Sequence, residues 1–519
     1  MLVNVLLRAG LVTAILIVGV FGQRYIKRRN YVRKAKRLNV QPVRAENGTW
    51  SSFMFSRRIF SKNAGGDLIH RMEQVFDSNQ DSPTISFQVS GSNTILTEDP
   101  EIAKTCLSTN FKDYDIGLRA VALGPLLKNG IFTQNGEAWK HSRAMIRPLF
   151  AKEQLSQLHA IEGRFQVLLN VVKENAKQGN QPFDIMPFLV RFTMDTITDY
   201  LFGETVNSLQ DPAIPYQPDR PVQPAEFTDS LTHYVSPMLS KRLSAGKFYW
   251  LVDGFRFRKH IGKLHKFIDY YVERGLENVK NGKVNPDRFI FVQEMAKETS
   301  DAVFIRQQTA NVLFAGRGTT AFLLSYSLYR LGVNKNIFAK LKTIVLEEFG
   351  RDKENITYEG LRRCSYLNNF IHEVLRIDPL VPFNVKRAIR DTILPRGGGE
   401  DGSEPVLLQK GDLIMVFTFG ILRSPRLWGE DAREFNPDRW NDGRRSWDFI
   451  PFGGGPRICV GQQFALIEGA YALVRMMQEF KDIEVIPDKD NPHDPKLRFT
   501  IGAVLYDGCN ISIQFEKDE

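Results

Sequence analysis

Residues 452–461 read FGGGPRICVG, and the reading of the rest of the chain follows from what this stretch can do. Four glycines, Pro456 and Arg457 surround Cys459. A cysteine in an apolar run is often inert filler, but glycines let a backbone approach something flat very closely. Amides freed in such a loop can donate to a sulfur anion, and the Arg457 guanidinium offers a fork that suits a carboxylate. A thiolate held this way is a good iron ligand.

The bulk composition supports one large enzyme-sized fold. Of 519 residues, 43% are hydrophobic and 25% charged, which is ordinary globular composition with material for a substantial core. No Gly/Ser linker or charge run divides the chain beyond its first forty or so residues, so we expect a single catalytic domain at 46–519. The net charge is +10, yet nine Lys and Arg fall within residues 1–37, where there is no acid, so only +1 remains for the rest. A nearly neutral body gives no support to a nucleic-acid partner that binds through backbone phosphates.

Residues 2–22 are broken by one charge, Arg8, and approach the ~20 residues that cross a bilayer. The next stretch, RYIKRRNYVRKAKR, carries eight basic residues that resist translocation. These features predict a single-pass anchor at 1–23 and a basic linker at 24–45, with the body on the cytosolic face of a membrane. A cleaved secretory signal shares the charged start and apolar middle, but a cationic cluster just after them opposes export. The cysteines Cys106, Cys364, Cys459 and Cys509 lie far apart, so no C-x-x-C pair points to zinc or redox exchange.

Apolar periodicity predicts mostly helix, with long runs near 151–178, 186–203, 259–280, 302–331, 335–349 and 461–480. Strand-like alternation is confined to 84–90, 406–419 and two stretches near the C-terminus, RFTIGAVLY and NISIQF. Pro212, Pro215, Pro218, Pro221 and Pro224 recur at every third position, which fits a stiff polyproline II connection. At 246–260, GKFYWLVDGFRFRKH mixes aromatic and basic residues, as a membrane interface or a solvated helix end does. Gly397, Gly399 and Gly402 match G-x-G-x-x-G, but acids interrupt the run and a strand follows where a helix should start, so no dinucleotide site is read there.

The spacing F-x-x-G-x-R-x-C-x-G through Phe452, Gly455, Arg457, Cys459 and Gly461 resembles the haem-binding loop of the cytochromes P450. Four further signals fall in that family's order. Glu373 and Arg376 in EVLR match its E-x-x-R, and Arg439 in FNPDRW matches the arginine that joins the pair in a buried network. Trp139 and Arg143 in WKHSR match the helix that contacts a haem propionate. AGRGTT, 315–320, resembles [A/G]-G-x-[D/E]-T-[T/S] in the helix over the oxygen side of the haem. The glycines then open a groove for dioxygen and water, with Thr319 on the face of Ala315.

Gly318 stands where the family has an acid that helps bring protons to oxygen, so Thr319 or Thr320 with ordered water is expected to carry them instead. The resemblance implies a mainly α fold with a small β region, preceded by one transmembrane helix. It also implies haem b, iron protoporphyrin IX, with Cys459 as axial ligand. Electrons would come from NADPH through a separate cytochrome P450 reductase, docked near Arg444 and Arg445, at the endoplasmic reticulum membrane.

Position in the family assigns a lipophilic pocket to Ile116, Leu118, Val381, Phe383, Val385 and Ala503. GIFTQNGEAWKHSRAMIRPLF, LPRGGGEDG and AGRGTTA resemble the fungal branch that hydroxylates alkanes and fatty acids, and related fungal enzymes tailor polyketide or terpenoid intermediates. Two other readings stay open: a haem-thiolate isomerase or peroxide-consuming enzyme that needs no reductase, and a non-catalytic haem carrier or sensor.

Overall fold

The computed structural model describes residues 19, 22, 26, 29–40, 68–78, 82–89, 92–151, 158–177, 181–209, 219–399, 401–443 and 446–516. The expected anchor at 1–23 lies almost wholly outside them, as do Pro212, Pro215, Pro218, Arg444 and Arg445. Among the described residues no helix is long and apolar enough to cross a membrane.

Helix predominates. The elements that build the site are α1 (Arg119–Leu127), α2 (Gly136–Ile146), α3 (Leu158–Lys177), α4 (Met186–Phe202), α5 (Phe255–Lys280), α6 (Ala302–Val333), α7 (Lys335–Phe349), α8 (Ser365–Ile377) and α9 (Gln462–Glu479). The strands that matter are β1 (Thr84–Val89), β2 (Ser92–Thr97), β3 (Tyr114–Asp115), β4 (Phe383–Ala388), β5 (Thr392–Gly398), β6 (Glu404–Leu408), β7 (Leu413–Phe417), β8 (Leu497–Phe499) and β9 (Ala503–Leu505). One sheet runs β1-β2-β7-β4-β3, with β2 and β7 parallel and its other pairs antiparallel. Phe183–Asp184, Phe480–Val485 and Asn510–Phe515 form a second, three-stranded sheet.

Three expectations need correction. The run 406–419 divides into β6 and β7, because Gly411 takes φ +92° and the Asp412 carboxylate accepts the Gln409 N–H at 3.1 Å, which closes a turn. RFTIGAVLY likewise folds back on itself as the antiparallel pair β8–β9. The proline series does not continue as an extended connection to its end, since Pro224 opens a short helix, Pro224–Asp229. Its missing N–H costs nothing at a first helical position. Gly397, Gly399 and Gly402 lie at the β5–β6 hairpin, all with positive φ.

The central element is α6, about 48 Å long at 1.5 Å per residue. Asp301 caps it, accepting the Phe304 N–H at 3.0 Å. Its first part, Ile305 to Leu313, is buried in one apolar core with α4 and α5, and Ala321 to Leu331 in a second with α3, α7, α8 and α9. Between them residues 314–319 are half-buried without a break. A helix half-buried for six residues between two cores leaves part of its surface uncovered by packed side chains, although Phe314 still packs against the first core.

Gly316 is the exception on that stretch. A Cβ on it would lie 2.7 Å from Ile197 Cγ1 on α4, so this glycine permits a close helix crossing and does not open the expected groove. Gly318 is the open position, with nothing nearer to its Cβ direction than the Phe322 ring at 3.5 Å.

Candidate active site

The cysteine loop is held by its own backbone. Cys459 N–H donates to the Phe452 carbonyl at 3.1 Å and Ile458 N–H to that of Gly455 at 3.0 Å. Gly455 sits at φ +65°, and a Cβ there would lie 2.0 Å from the Leu107 carbonyl oxygen, so no other residue fits. Gly461 leads directly into α9, and its N–H reaches the Cys459 sulfur. All four cysteines are free, and Cys459 alone is exposed. Burial raises the thiols of Cys106 and Cys509 to about 12, which suits filler. The Cys459 thiol is also raised, because protein surrounds it on most sides, but the Gly461 N–H and the Arg143 charge oppose that shift by favouring the anion.

Cations converge beside this loop. Arg143 of α2 donates to the Ile458 carbonyl at 2.9 Å, and Arg457 lies over the buried Trp139 ring at 4.4 Å while donating to the Gln134 carbonyl at 2.8 Å. The structure adds two residues that no motif marked, Arg119 of α1 and Lys386 of β4. Burial, then mutual repulsion, lowers Arg457 to about 9 and Lys386 well below its ordinary value, while burial alone lowers Arg119 to about 10. Among the described residues none of these four cations has a carboxylate partner, and the Arg119 Nε is buried without a hydrogen bond. The nearby acid, Asp115, is paired with Arg387.

Desolvated cations that repel one another are stable only where an anion joins them. A flat group bearing two carboxylates, placed against a glycine loop and a thiol, fits this arrangement, and haem b is such a group. The signal for Lys386 in the sequence was faint, one cation on an inward position of β4. Lys386→Ala is expected to weaken haem retention by ~10-fold, measured as the rate of transfer to a competing haem-binding protein.

On α6 the Thr319 hydroxyl donates to the Ala315 carbonyl at 3.0 Å, and Thr193 of α4 donates to the Arg317 carbonyl. Thr320 is buried and turned toward α9, so the two threonines point to different neighbours. The Arg317 guanidinium donates to Thr232 and Ser236, each at 2.9 Å.

Of the expected pocket residues, Phe383 of β4 stacks on Phe417 and meets the edge of Phe499, at 5.2 and 5.5 Å. Ala503 is buried and its N–H donates to the Leu380 carbonyl at 2.9 Å, beside Gly502, whose Cβ direction lies 3.7 Å from Phe322 of α6. Ile116 is buried, Leu118 and Val385 are half-buried, and Val381 is exposed.

Glu373 and Arg376 form a bidentate pair at 2.8 Å, both fully buried. Arg439 stands 3.5 Å from the Glu373 carboxylate and donates to Asp431 at 3.0 Å. Trp440, which no motif singled out, donates its indole N–H to Glu373 at 3.0 Å. His70, Glu73 and Asp494 also have donor atoms within reach of one ion. The Arg423 guanidinium already occupies that position, donating to Glu73 at 2.9 Å and Asp494 at 2.8 Å.

A thiol in a glycine loop, a set of cations without carboxylate partners among the described residues and a long helix bearing Thr319 on its half-buried middle stretch define a haem-thiolate monooxygenase. The family model described as Cytochrome P450 matches residues 60–507, and the chain belongs to that family. It is 41% identical to Cytochrome P450 52A9 of Candida maltosa over 438 residues, 83% of each chain. It is 44% identical to Cytochrome P450 52-E3 of Starmerella bombicola over 410 residues, 77% of this chain and 78% of the other. With Cytochrome P450 52A5 of Candida maltosa it shares 36% identity over 511 residues, 96% of this chain and 95% of that one.

Proposed function

We propose that this cytochrome P450 is anchored in the endoplasmic reticulum membrane by residues 1–23 and hydroxylates a lipophilic substrate, an alkane or fatty acid, with NADPH electrons relayed by a separate reductase. The observation that carries the reading is the convergence of the Cys459 loop with four cations that have no acidic partner among the described residues. Cys459 would supply the thiolate to the haem iron from a loop shaped by Phe452, Gly455 and Gly461, and Trp139, Arg143, Arg457, Arg119 and Lys386 would hold the haem carboxylates. When bound, the haem supplies the activation of dioxygen and the transfer of one oxygen atom to a C–H bond.

The chain's own residues do the rest. Gly318 leaves space on α6, and Thr319 holds a proton on its Oγ1 beside that space. Phe322, Phe383, Ala503 and Val385 give apolar walls that exclude water. Membrane association is supported by the segment at 246–260, where Phe255 is 83% and Trp250 59% exposed, next to Arg256, Arg258 and Lys259. Such rings sit among headgroups, with cations toward phosphate.

The test is turnover of a fatty acid and an alkane by the purified chain with reductase and NADPH, run beside a polyketide and a terpenoid set. Hydroxylation that requires both NADPH and reductase is expected. Product formed without either would support the peroxide-consuming or isomerising reading, and absence of a Soret shift with every substrate would support a carrier. Thr319→Ala is expected to lower product formed per NADPH consumed by ~10-fold, with carbon monoxide binding intact. An unchanged ratio removes Thr319 from proton handling.

A further inference from the structure

The basic run RYIKRRNYVRKAKR, 24–37, is helical over 29–37, and that helix is seated on the body. Ala35 and Val40 are buried, packed with Tyr31 against Leu407 of β6. Lys34 pairs with Asp391, whose carboxylate also accepts the Lys410 N–H at 2.8 Å. The helix stops at Asn39, which takes φ +53°, and the Val40 N–H donates back to the Ala35 carbonyl at 3.1 Å, so that Val40 tucks under the last turn.

This seat fixes which way the rest of the helix points. Tyr31 and Ala35 stand at i and i+4 on the inner face, while Arg29, Arg33, Lys36 and Arg37 follow the spacing i, i+4, i+7, i+8 on the opposite one. All four cations are exposed, and none has an acidic partner among the described residues. Like charges four apart on a helix repel one another. A face that served solubility alone would intersperse acids, yet the first acid of the chain is Glu46.

Apolar side chains border the cations. Val32 is 39% and Leu38 44% exposed on the helix. On the body, Ile393 of β5 is 42% exposed, and it stands directly opposite Leu407 in the hairpin register, hence on the face that receives the helix. A cationic face with an apolar margin matches an acidic lipid surface, where cations meet phosphate and aliphatic groups enter the headgroup layer.

We propose that the outer face of the 29–37 helix binds anionic lipid headgroups and so draws the β5–β6 side of the body onto the membrane. The proposal rests on the anchor reading above, because that reading brings the helix within reach of the bilayer: the seven steps from Gly22 to Arg29 span at most about 25 Å. The headgroups supply the anions that the four cations lack, and the buried seam at Tyr31, Ala35 and Val40 passes the orientation of the helix to the body.

The haem-loaded full chain in lipid nanodiscs tests this. Three native thiols are buried and Cys459 is committed to iron on the reading above, so Val32→Cys and Ile393→Cys each add the one thiol open to an uncharged, water-soluble maleimide. Discs that contain phosphatidylserine or phosphatidylinositol are expected to slow labelling at both positions by ~10-fold relative to phosphatidylcholine discs at low salt. Salt at 1 M, which cuts the screening length to ~3 Å, should remove the difference. So should Arg29→Gln, Arg33→Gln, Lys36→Gln and Arg37→Gln combined, with the carbon monoxide spectrum unchanged.

Equal labelling rates in acidic and neutral discs would overturn the proposal. Slowing at residue 32 without slowing at 393 would overturn the seating of the body. Slowing that needs added reductase and no acidic lipid would assign the face to a protein partner instead. If the fourfold variant fails to fold, Arg33→Gln and Lys36→Gln decide singly: a smaller lipid effect in each supports the surface, and an undiminished one in both removes it. A chain that does not co-elute with phosphatidylcholine discs, yet is slowed by acidic ones, would defeat the anchor reading and leave the lipid surface standing.

Discussion

Cys459→Ser is expected to abolish the long-wavelength carbon monoxide band for which the family is named and to lower hydroxylation by at least ~100-fold. The substitution changes one atom. The loop is closed by backbone bonds from Cys459 and Ile458 and by the fit of Gly455 against Leu107, none of which involves sulfur. The thermal transition of the protein without haem should therefore move little.

What changes is the donor. A thiol pushed upward by burial is nonetheless deprotonated by a bound metal ion, whose charge outweighs the desolvation penalty, whereas a serine hydroxyl holds its proton far more strongly. The same competition gives a pH signature: acidification sets a proton against iron at Cys459, so haem retention in the parent should weaken as pH falls. A serine variant that kept the native spectrum would mean that another residue binds the metal.

Arg376→Ala is expected to destabilise the fold by about 3–5 kcal/mol, which is a large part of a typical total of ~5–15 kcal/mol. Arg376 donates to both Glu373 oxygens and to the carbonyls of Leu422, Ala432 and Glu434, and it stacks at 5.0 Å on Trp428. Its loss leaves the Glu373 carboxylate buried with Asn436 N–H, the Trp440 indole and a more distant Arg439 as its partners.

Lysine does not replace it, because a point charge cannot span two carboxylate oxygens and three carbonyls. The urea midpoint of each variant measures the effect. The double variant Glu373→Leu with Arg376→Met should lose less than Arg376→Ala, since no uncompensated charge remains. Equal losses would assign the effect to packing alone.

Much of this was readable from residue order. The loop at 452–461, the E-x-x-R pair and the long helix at 302–331 carry their chemistry in local spacing, and the structure sets them close to where spacing puts them. Arg119, Lys386 and Trp440 were not readable in the same way. Each is an ordinary residue in its own segment and acquires meaning only from a neighbour more than a hundred residues away, or, for Trp440, sixty-seven residues from Glu373. Gly316 and Gly318 show the same limit at close range: two residues apart, one is crowded against Ile197 and the other meets only the Phe322 ring at ordinary contact distance.

Sequence alone determined the family and the metal-binding cysteine expected of it, through the resemblance of its motifs, and the mainly helical class, through periodicity along a few consecutive turns. Tertiary structure decided which cations stand together without an acidic partner among the described residues, which acid is buried in an apolar core and which glycine is a helix contact. Those properties are differences in desolvation, and desolvation depends on what the other helices bring alongside.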